Sequence, residues 1–452
     1  MSIKNRLITM NFFQFFVWGA WLITIANFWF GTKQWEGTQF GLVFGTMGIA
    51  SLFMPTLTGI LADRWINAEK LYGILHILYA LVLFYLPQVE TPGNFIYVML
   101  LAMCFYMPTI ALSNSISYTA LKNSSDGDVV KDFPPIRVWG TVGFIAAMWL
   151  TNLTGNKATA YQFYIAGIAA ILLGLYAFSL PKCKPQHTKA EKSSLVETFG
   201  LEAFKLFGTY KMALFFLFSM FLGGALQLTN AYGDLYLSEF EKAPQYADLL
   251  RKFDMIFIPE LFEIEGFFDR LDYIINYPDL ISTLVIKYST IIMSISQVSE
   301  TLFILAIPFF LKRFGIKQVM LISMLAWVLR FGLFAYGNPT DGLWMIIMSC
   351  IVYGMAFDFF NISGSLFVET STNAKIRSSA QGLFMMMTNG FGAVLGSFTS
   401  GWAIEKYFTH NGERDWHNIW LAFAVYSLII AIAFAILFKH KHNPNDVANV
   451  SH

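Results

Sequence analysis

Residues 40–70 read FGLVFGTMGIASLFMPTLTGILADRWINAEK, an apolar run followed by a short basic turn. No charged residue occurs in this run before Asp63, and Arg64 and Lys70 lie in the turn that follows. A membrane-spanning helix needs roughly 20 consecutive, mostly apolar residues. The run 40–63 therefore predicts one membrane span that ends in a basic turn.

The composition of the whole chain agrees with a membrane protein. Of its 452 residues, 56% are apolar and 13% are charged, whereas a soluble domain carries about 25% charged residues. The 46 Phe and 12 Trp suit a lipid-facing surface and the membrane interfaces. A formal net charge of +1 cannot neutralise many phosphates, so nucleic acid is not expected as a partner. The 3 cysteines show no zinc-ligand spacing and predict no disulfide framework.

Twelve apolar runs of the required length are separated by polar breaks. The first run has no small-residue cleavage site near its end, so we expect a retained span and not a signal peptide. The chain is therefore predicted to be an all-α, multi-pass protein embedded in a lipid bilayer. The predicted spans are 7–31, 40–63, 70–88, 94–121, 134–154, 159–181, 210–237, 284–311, 317–337, 342–369, 375–404 and 417–438.

The basic residues of the connecting segments predict the orientation of the spans. If the N-terminus is cytoplasmic, the inner segments carry the majority of the Lys and Arg residues outside the spans. Short cytoplasmic loops are enriched in these residues. Both termini are therefore predicted to be cytoplasmic.

Two long connections divide the chain into two predicted bundles of six helices. Residues 182–209 form a basic cytoplasmic linker, and residues 238–283 form an acidic extracellular loop. The N-terminal bundle is predicted over 1–181 and the C-terminal bundle over 210–442, followed by a cytoplasmic tail over 443–452.

Each long connection contains apolar residues at helical spacing, which predicts an amphipathic helix on a surface. We expect the helix in the outer loop to be a structural insertion, and a lid that captures substrate is the alternative. The apolar positions are Leu195, Phe199, Ala203 and Leu206 in the linker and Leu261, Ile264, Phe268, Leu271 and Ile275 in the loop.

The two halves share a turn at the same position. The turn after span two begins at Gly59, and the turn after span eight reads LKRFGIK from Leu311. Both turns are short, basic and predicted to be cytoplasmic. Two six-helix halves that rock about a midplane site are the architecture of major facilitator transporters. We therefore predict the major facilitator fold.

Several longer motifs lie within or beside the spans. They are G-x-x-x-D-R at 59–64, FPPIRVWGTVGF at 133–144, LQLTN at 226–230, SISQVSE at 294–300 and YGMAFDFFNISG at 353–364. Together they resemble the bacterial nucleoside:proton symporters, the high-affinity nucleoside permeases, from the first span to Lys441. The outer loop near 243–283 is longer than is usual in that family. The resemblance implies nucleoside import through the bacterial inner membrane by a monomer, with the proton as coupling ion and no other cofactor.

Four charged residues lie deep in the predicted spans, namely Arg137, Glu300, Arg330 and Asp358. A charge in the bilayer core is costly unless it is paired or faces a cavity. Two carboxylates and two guanidiniums balance, which favours mutual pairing inside a cavity. We expect Asp358 to pair with Arg137 across the two halves, and Arg330 to be structural or near the outer interface.

Two polar pairs lie near the middle of their spans. Gln227 and Asn230 are three residues apart, as are Gln297 and Glu300, so each pair shares one helix face. Amides and a carboxylate suit a neutral ligand that is rich in hydroxyls and ring amides. The alternative is that these amides only bond neighbouring helices.

The resemblance implies a role in substrate binding for ten residues. Aromatic rings among them offer flat faces on which a planar base stacks. The residues that would hydrogen-bond the nucleoside are Gln227, Asn230, Gln297 and Glu300. The residues that would complete the pocket are Arg137, Thr141, Phe144, Tyr353, Phe357 and Asp358.

Asp358 and Glu300 are the candidates for the proton-coupling site. Burial disfavours the charged form of a carboxyl, so a buried carboxyl can take up a proton on one side and release it on the other. The alternative is a permanent ion pair of Asp358 with Arg137 that only holds the two halves together.

The sequence also bears on functions other than nucleoside transport. An enzyme is not expected, because the sequence has no nucleophile with an adjacent base, no metal-ligand cluster and no phosphate-binding glycine loop. Arg137 begins an R-x-x-G-x-x-G pattern that resembles the sugar-contacting helix of lactose permease relatives. A sugar or oligosaccharide:proton symporter is therefore the alternative, and a transporter-like nucleoside receptor is a more remote one.

Overall fold

A computed structural model describes residues 2–124, 129–185, 201–253, 276–373 and 376–441, with single positions between 254 and 275. These residues are almost entirely helical. The strands among them are Thr409–His410 and Glu413–Arg414, which pair antiparallel.

The first half of the chain forms six long helices. After α1 the chain turns and continues as a π-helix, Asn27–Thr32. Thr151 of α5 donates a hydrogen bond to the carbonyl of Ala20 in this turn, at 3.1 Å, and so satisfies a backbone group that the broken helix leaves free. The helices are α1 Ile3–Gly19, α2 Phe40–Arg64, α3 Ala68–Tyr85, α4 Pro92–Lys122, α5 Val129–Leu153 and α6 Tyr161–Ala177.

The second half begins with a 3₁₀ segment, Leu201–Gly208, and contains a second π-helix, Met386–Gly392, between α12 and α13. The helices are α7 Tyr210–Glu239, α8 Ala247–Lys252, α9 Pro278–Lys287, α10 Ser289–Tyr336, α11 Leu343–Ser371, α12 Arg377–Met385, α13 Ala393–Phe408 and α14 Trp416–Leu437.

The helix α10 consists of two limbs. It has 48 residues, and a straight helix of that length would be about 72 Å long, more than twice the hydrocarbon thickness of a bilayer. Gly315, with φ 77° and ψ 170°, breaks it. Ser299 of the first limb donates to the carbonyl of Ile351, and Ser323 of the second donates to that of Ala356, so both limbs pack on α11. The turn predicted at 311–317 is confirmed.

Seven helices in the described part of the chain are long and apolar enough to cross a membrane, with mean hydropathies from 1.6 to 2.5. Leu305 and Ile436 on their outer surfaces are 75% and 66% exposed, which suits contact with lipid. The predicted total of twelve spans and the cytoplasmic side of both termini stay predictions. The seven helices are Gly37–Ala62, Ala68–Gln88, Pro92–Lys122, Tyr210–Lys242, Ser289–Tyr336, Leu343–Ser371 and Trp416–Leu437.

The two ends of the bundle are defined by contacts between connections. At the end that carries the linker, Ala68 donates its N–H to the carbonyl of Cys183 at 3.2 Å, and Lys211 lies 2.7 Å from His440. We call this the linker end. At the opposite end, which we call the far end, Lys33 donates to the carbonyl of Val89 at 2.7 Å.

Some predictions on the connections differ from the structure or lie outside it. The run predicted as one span over 284–311 begins inside α9, because the backbone at Tyr288 (φ −114°, ψ 45°) separates α9 from α10. Ala203 of the predicted linker helix is buried, in a 3₁₀ segment. The residues outside the described part, for which the predicted amphipathic helices stay predictions, are Leu195, Phe199, Leu261, Phe268, Leu271 and Ile275.

Candidate functional site

A cavity of about 860 Å³ lies between the two halves of the molecule. Its wall comes from α1, α2, α4 and α5 of the first half and from α7, α10, α11, α12 and the second π-helix of the second half. Nine of the ten residues predicted to bind substrate lie on this wall. They are Arg137, Thr141, Phe144, Gln227, Asn230, Gln297, Glu300, Tyr353 and Phe357.

Two buried polar groups on this wall have no hydrogen-bond partner among the described residues. Gln227 is buried, and its Oε1 atom accepts no hydrogen bond from the described residues. The Nε1–H of Trp18 is also buried without an acceptor there. Buried polar groups are normally hydrogen-bonded, and an unmade bond costs free energy. A ligand with both donors and acceptors would satisfy these groups.

Aromatic rings form the apolar part of the wall. Tyr353 and Phe357 lie one turn apart on α11, with ring planes 14° from parallel and centroids 6.5 Å apart. Phe144 of the opposite half meets Trp18 edge to face, at 6.2 Å. Flat rings from both halves thus border the same cavity, which suits a planar heterocycle.

The R-x-x-G-x-x-G pattern positions the Arg137 side chain. The guanidinium of Arg137 lies over the ring of Phe15, 4.0 Å from its centroid. A Cβ atom at Gly140 would lie 2.6 Å from both the Arg137 Nη1 atom and the Phe15 ring, so only glycine leaves room for this stacking. Gly143 lets the backbone of α1 approach α5 at Phe12.

Asp358 does not occupy its predicted place. It is absent from the cavity wall, and among the described residues no ion pair joins it to Arg137. Its side chain is buried, and its Oδ2 atom has no hydrogen-bond donor there. Successive residues of a helix point about 100° apart. Phe357 faces the cavity, whereas the side chain of its neighbour Asp358 points away from it. This corrects the predicted pairing of Asp358 with Arg137.

Glu300 links the two groups that were expected to pair. Its charge interacts with that of Arg137 on the opposite half and with that of Asp358 on the adjacent helix. Glu300 therefore lies between the other two charged groups, with Arg137 on the side of the first half and Asp358 on the side of the second.

Arg330 makes contacts within its own half, which agree with the structural role that was one of its two predictions. It is fully buried and donates to the carbonyl of Ser349 at 2.7 Å and to the hydroxyl of Ser296 at 3.4 Å. Its guanidinium lies 4.6 Å from the centroid of the Tyr353 ring. Carbonyl and hydroxyl oxygens and an aromatic face stabilise this charge in place of the expected carboxylate.

The sequence reasoning missed three asparagines on the cavity wall, Asn114, Asn361 and Asn389. Asn389 has no polar residue three positions away, but Asn361 lies three residues after Asp358 and Asn114 three residues before Ser117, so for these two the spacing itself marked a shared helix face. Asn389 lies in the second π-helix, and a π-turn inside a helix is frequent at functional sites. The rule that any amide in a span is a candidate would have found all three.

Comparison with known proteins assigns the chain to a family. The sequence profile of the nucleoside H⁺ symporters matches residues 1–443. The chain belongs to the nucleoside H⁺ symporter family. The nucleoside permease NupG of Escherichia coli (strain K12) is 45% identical over 455 residues, which cover 100% of both chains. The xanthosine permease of the same organism is 46% identical over 448 residues, 99% of this chain and 98% of the permease.

Solved structures show the fold of this member of the nucleoside H⁺ symporter family. A crystal structure of the nucleoside transporter NupG matches it with a TM-score of 0.84 at 45% identity, over 98% of this chain and 100% of that one. A crystal structure of the peptide transporter POT matches with a TM-score of 0.64 at 14% identity, over 97% of this chain and 96% of that one, and shows the fold alone. The predicted family and the major facilitator fold are confirmed.

Proposed function

We infer that this protein imports nucleosides together with protons. The family match over residues 1–443 and the two permeases at 45% and 46% identity support this substrate class. The single structural observation that carries the inference is the cavity between the halves, because its wall combines unbonded amides, flat rings and a carboxylate.

The amides and rings would bind the two chemical parts of a nucleoside. Gln227, Asn230 and Gln297 offer both donors and acceptors to ribose hydroxyls and base edges. Tyr353 and Phe357 offer ring faces to the base. None of these side chains carries a fixed charge, which favours a neutral ligand over a phosphorylated one.

Glu300 and Asp358 would carry the coupling proton. Glu300 lies on the cavity wall and interacts with Arg137, so its charge state can respond to substrate and to the separation of the halves. Asp358 is buried behind the cavity and interacts with Glu300. The pair would share one proton, and Arg137 would stabilise the ionised form. A permanent Asp358–Arg137 ion pair is no longer needed to explain either charge.

The arrangement of the two ends supports an inward-facing state. Phe204 of the linker segment and Ser379 at the beginning of α12 border the cavity, so it reaches toward the linker end. At the far end the halves are joined by Asn27 with Asp234, at 2.6 Å, and by Trp149 of α5 with Ser294 of α10, at 2.9 Å. Alternating access would separate these far-end contacts and close the linker end.

We also propose the placement of the chain in its membrane. Twelve spans result when α5 and α6 are added to the seven long apolar helices, the two limbs of α10 are counted separately, and each π-helix with its flanking helices is counted as one crossing. The basic linker end then lies in the cytoplasm. The bacterial inner membrane is then the site of action. Because one chain supplies both walls of the cavity, the protein works as a monomer, with the proton as its only cofactor.

Competition of uptake tests the substrate class. Purified protein in liposomes with an inward proton gradient should accumulate labelled uridine, and unlabelled cytidine, adenosine or inosine should reduce the uptake. Lactose and xylose should not. Inhibition by the sugars and not by the nucleosides would show a sugar symporter, and binding of uridine without flux would show a receptor.

A further inference from the structure

We propose that Asn114, Asn361 and Asn389 form a second, weaker nucleoside subsite between the main site and the linker end. We call these three residues the inner subsite. The proposal rests on the proposed function, since it takes the same neutral ligand. It assigns the inner subsite to the release path on the cytoplasmic side.

The three amides share one property, which is that each borders the cavity with its side chain unbonded. Within the described residues, none of the three side chains has a hydrogen-bond partner. Amides of α1 do find partners: Asn11 donates to the carbonyl of Leu7 at 2.9 Å, and Gln14 donates to Thr109 at 2.9 Å. An amide left unbonded in a membrane protein is expected to face water or a ligand.

Their depth separates them from the main site. At 1.5 Å per residue from the linker-end terminus of each helix, Asn114, Asn361 and Asn389 lie about 12 to 18 Å deep. By the same measure, Gln227 and Gln297 lie about 26 Å deep. The two sets of amides are thus about 8 to 14 Å apart along the cavity, or about one and a half to two and a half helical turns.

Asn389 borders the cavity where the two halves pack closely. It lies in the π-helix Met386–Gly392, where the wider turn shifts the positions of the side chains. A Cβ atom at the adjacent Gly390 would lie 2.5 Å from the side chain of Leu52, so the two halves pack closely beside it. Asn389, Gly390 and Leu52 all border the cavity, so Asn389 lies where both halves contribute to its wall.

The cavity has room for two positions of the ligand. Its volume of about 860 Å³ lies near the upper end of the range for sites of drug-sized ligands, which are larger than a nucleoside. Three neutral amides from three elements can bond ribose hydroxyls or base edges, and no carboxylate or guanidinium is needed. Such a set binds weakly, and weak binding suits a ligand that is about to leave.

Equilibrium binding of labelled uridine to the purified protein tests the inner subsite. The wild type should show two components, one tight and one weak. Asn361→Leu and Asn389→Leu should each weaken the weak component about 2- to 10-fold, the range expected for one lost hydrogen bond, and leave the tight component unchanged. Gln227→Leu should weaken the tight component and keep the weak one. Met385→Leu, an apolar change on the same wall, should alter neither.

The outcomes separate the subsite from the proposed function. A single tight component in the wild type, or loss of the tight component in Asn361→Leu and Asn389→Leu, would overturn the inner subsite and leave nucleoside binding intact. Absence of any uridine binding would instead overturn the proposed function. The tight component reports that Asn361→Leu and Asn389→Leu are folded, and the weak component reports the same for Gln227→Leu.

Discussion

Asn27 of the first half donates a hydrogen bond of 2.6 Å to the carboxylate of Asp234 on α7 of the second half. Both side chains are buried, at 7% and 1% exposure. Lys157 lies close by, with its Nζ 3.4 Å from the Ser238 hydroxyl. These contacts lie at the far end, so they hold that end closed while the cavity reaches the linker end.

Replacing Asn27 should open the far end. A hydrogen bond to a charged group contributes about 1.5–3 kcal/mol, so Asn27→Ala should raise the population open at the far end by roughly one to two orders of magnitude. In a variant with Leu226→Cys on the cavity wall and Cys104→Ser, a membrane-impermeant maleimide added from the far side should react faster.

Asn156→Ala is the matched control for this experiment. Asn156 also lies at the far end, but its side chain donates within its own half, to Thr154 at 2.9 Å. The labelling rate should then stay at the parent value. Equal rates for Asn27→Ala and the parent protein would show that this hydrogen bond does not hold the far end.

A methyl group at Gly41 should have the same effect by a different route. A Cβ atom there would overlap the carbonyl oxygen of Ser397 on α13, across the two halves. Gly41→Ala should therefore prevent full closure of the far end and reduce uridine uptake. Gly59→Ala in the same helix has no atom within 4 Å of the new methyl group and should transport normally. Normal uptake by Gly41→Ala would argue against closure at this contact.

Arg330→Met should reduce stability more than it reduces binding. The change leaves the buried carbonyl of Ser349 without its hydrogen-bond donor and removes the cation–π contact of the guanidinium with the Tyr353 ring. We expect a loss of about 1–3 kcal/mol in the free energy of unfolding, visible as earlier thermal unfolding in detergent. Arg313→Met, at an exposed arginine, should unfold as the wild type does. A wild-type unfolding temperature for Arg330→Met would show that these contacts do not stabilise the fold.

Removing either carboxylate of the proposed pair should uncouple transport from the proton. Glu300→Gln and Asp358→Asn keep the shape of each side chain and remove its titration. In liposomes, both variants should still exchange labelled for unlabelled uridine, but a proton gradient should no longer drive net accumulation. If both variants still accumulate uridine against its gradient, neither carboxylate is the coupling site.

The sequence predicted the helices well where the length of an apolar run and the charges at its ends define a span. The break between spans eight and nine follows from the basic turn at 311–317, and the structure breaks at Gly315. The π-helices at Asn27–Thr32 and Met386–Gly392 could not be predicted, because they depend on packing between helices and not on local periodicity.

The candidate site was predictable where polar residues share a helix face. Gln227 and Asn230 are three residues apart, and both border the cavity. Asn389 has no polar residue three positions away, so this rule could not find it. The charge-balance argument failed for Arg330, because carbonyl oxygens and the Tyr353 ring stabilise a guanidinium without a carboxylate. Whether the Asp358 side chain faces the cavity depends on how α11 is rotated about its own axis, and the sequence does not specify that rotation.

Proton-driven uptake of labelled uridine by the purified protein in liposomes tests the central claim most directly. With an acidic exterior and no other energy source, the wild type should accumulate uridine above the external concentration, and a protonophore should abolish this accumulation. Gln227→Ala should reduce the uptake at low uridine concentration, whereas Gln88→Ala, at an exposed amide far from the cavity, should not. Uptake that only equilibrates, or that ignores the proton gradient, would contradict proton-coupled nucleoside import.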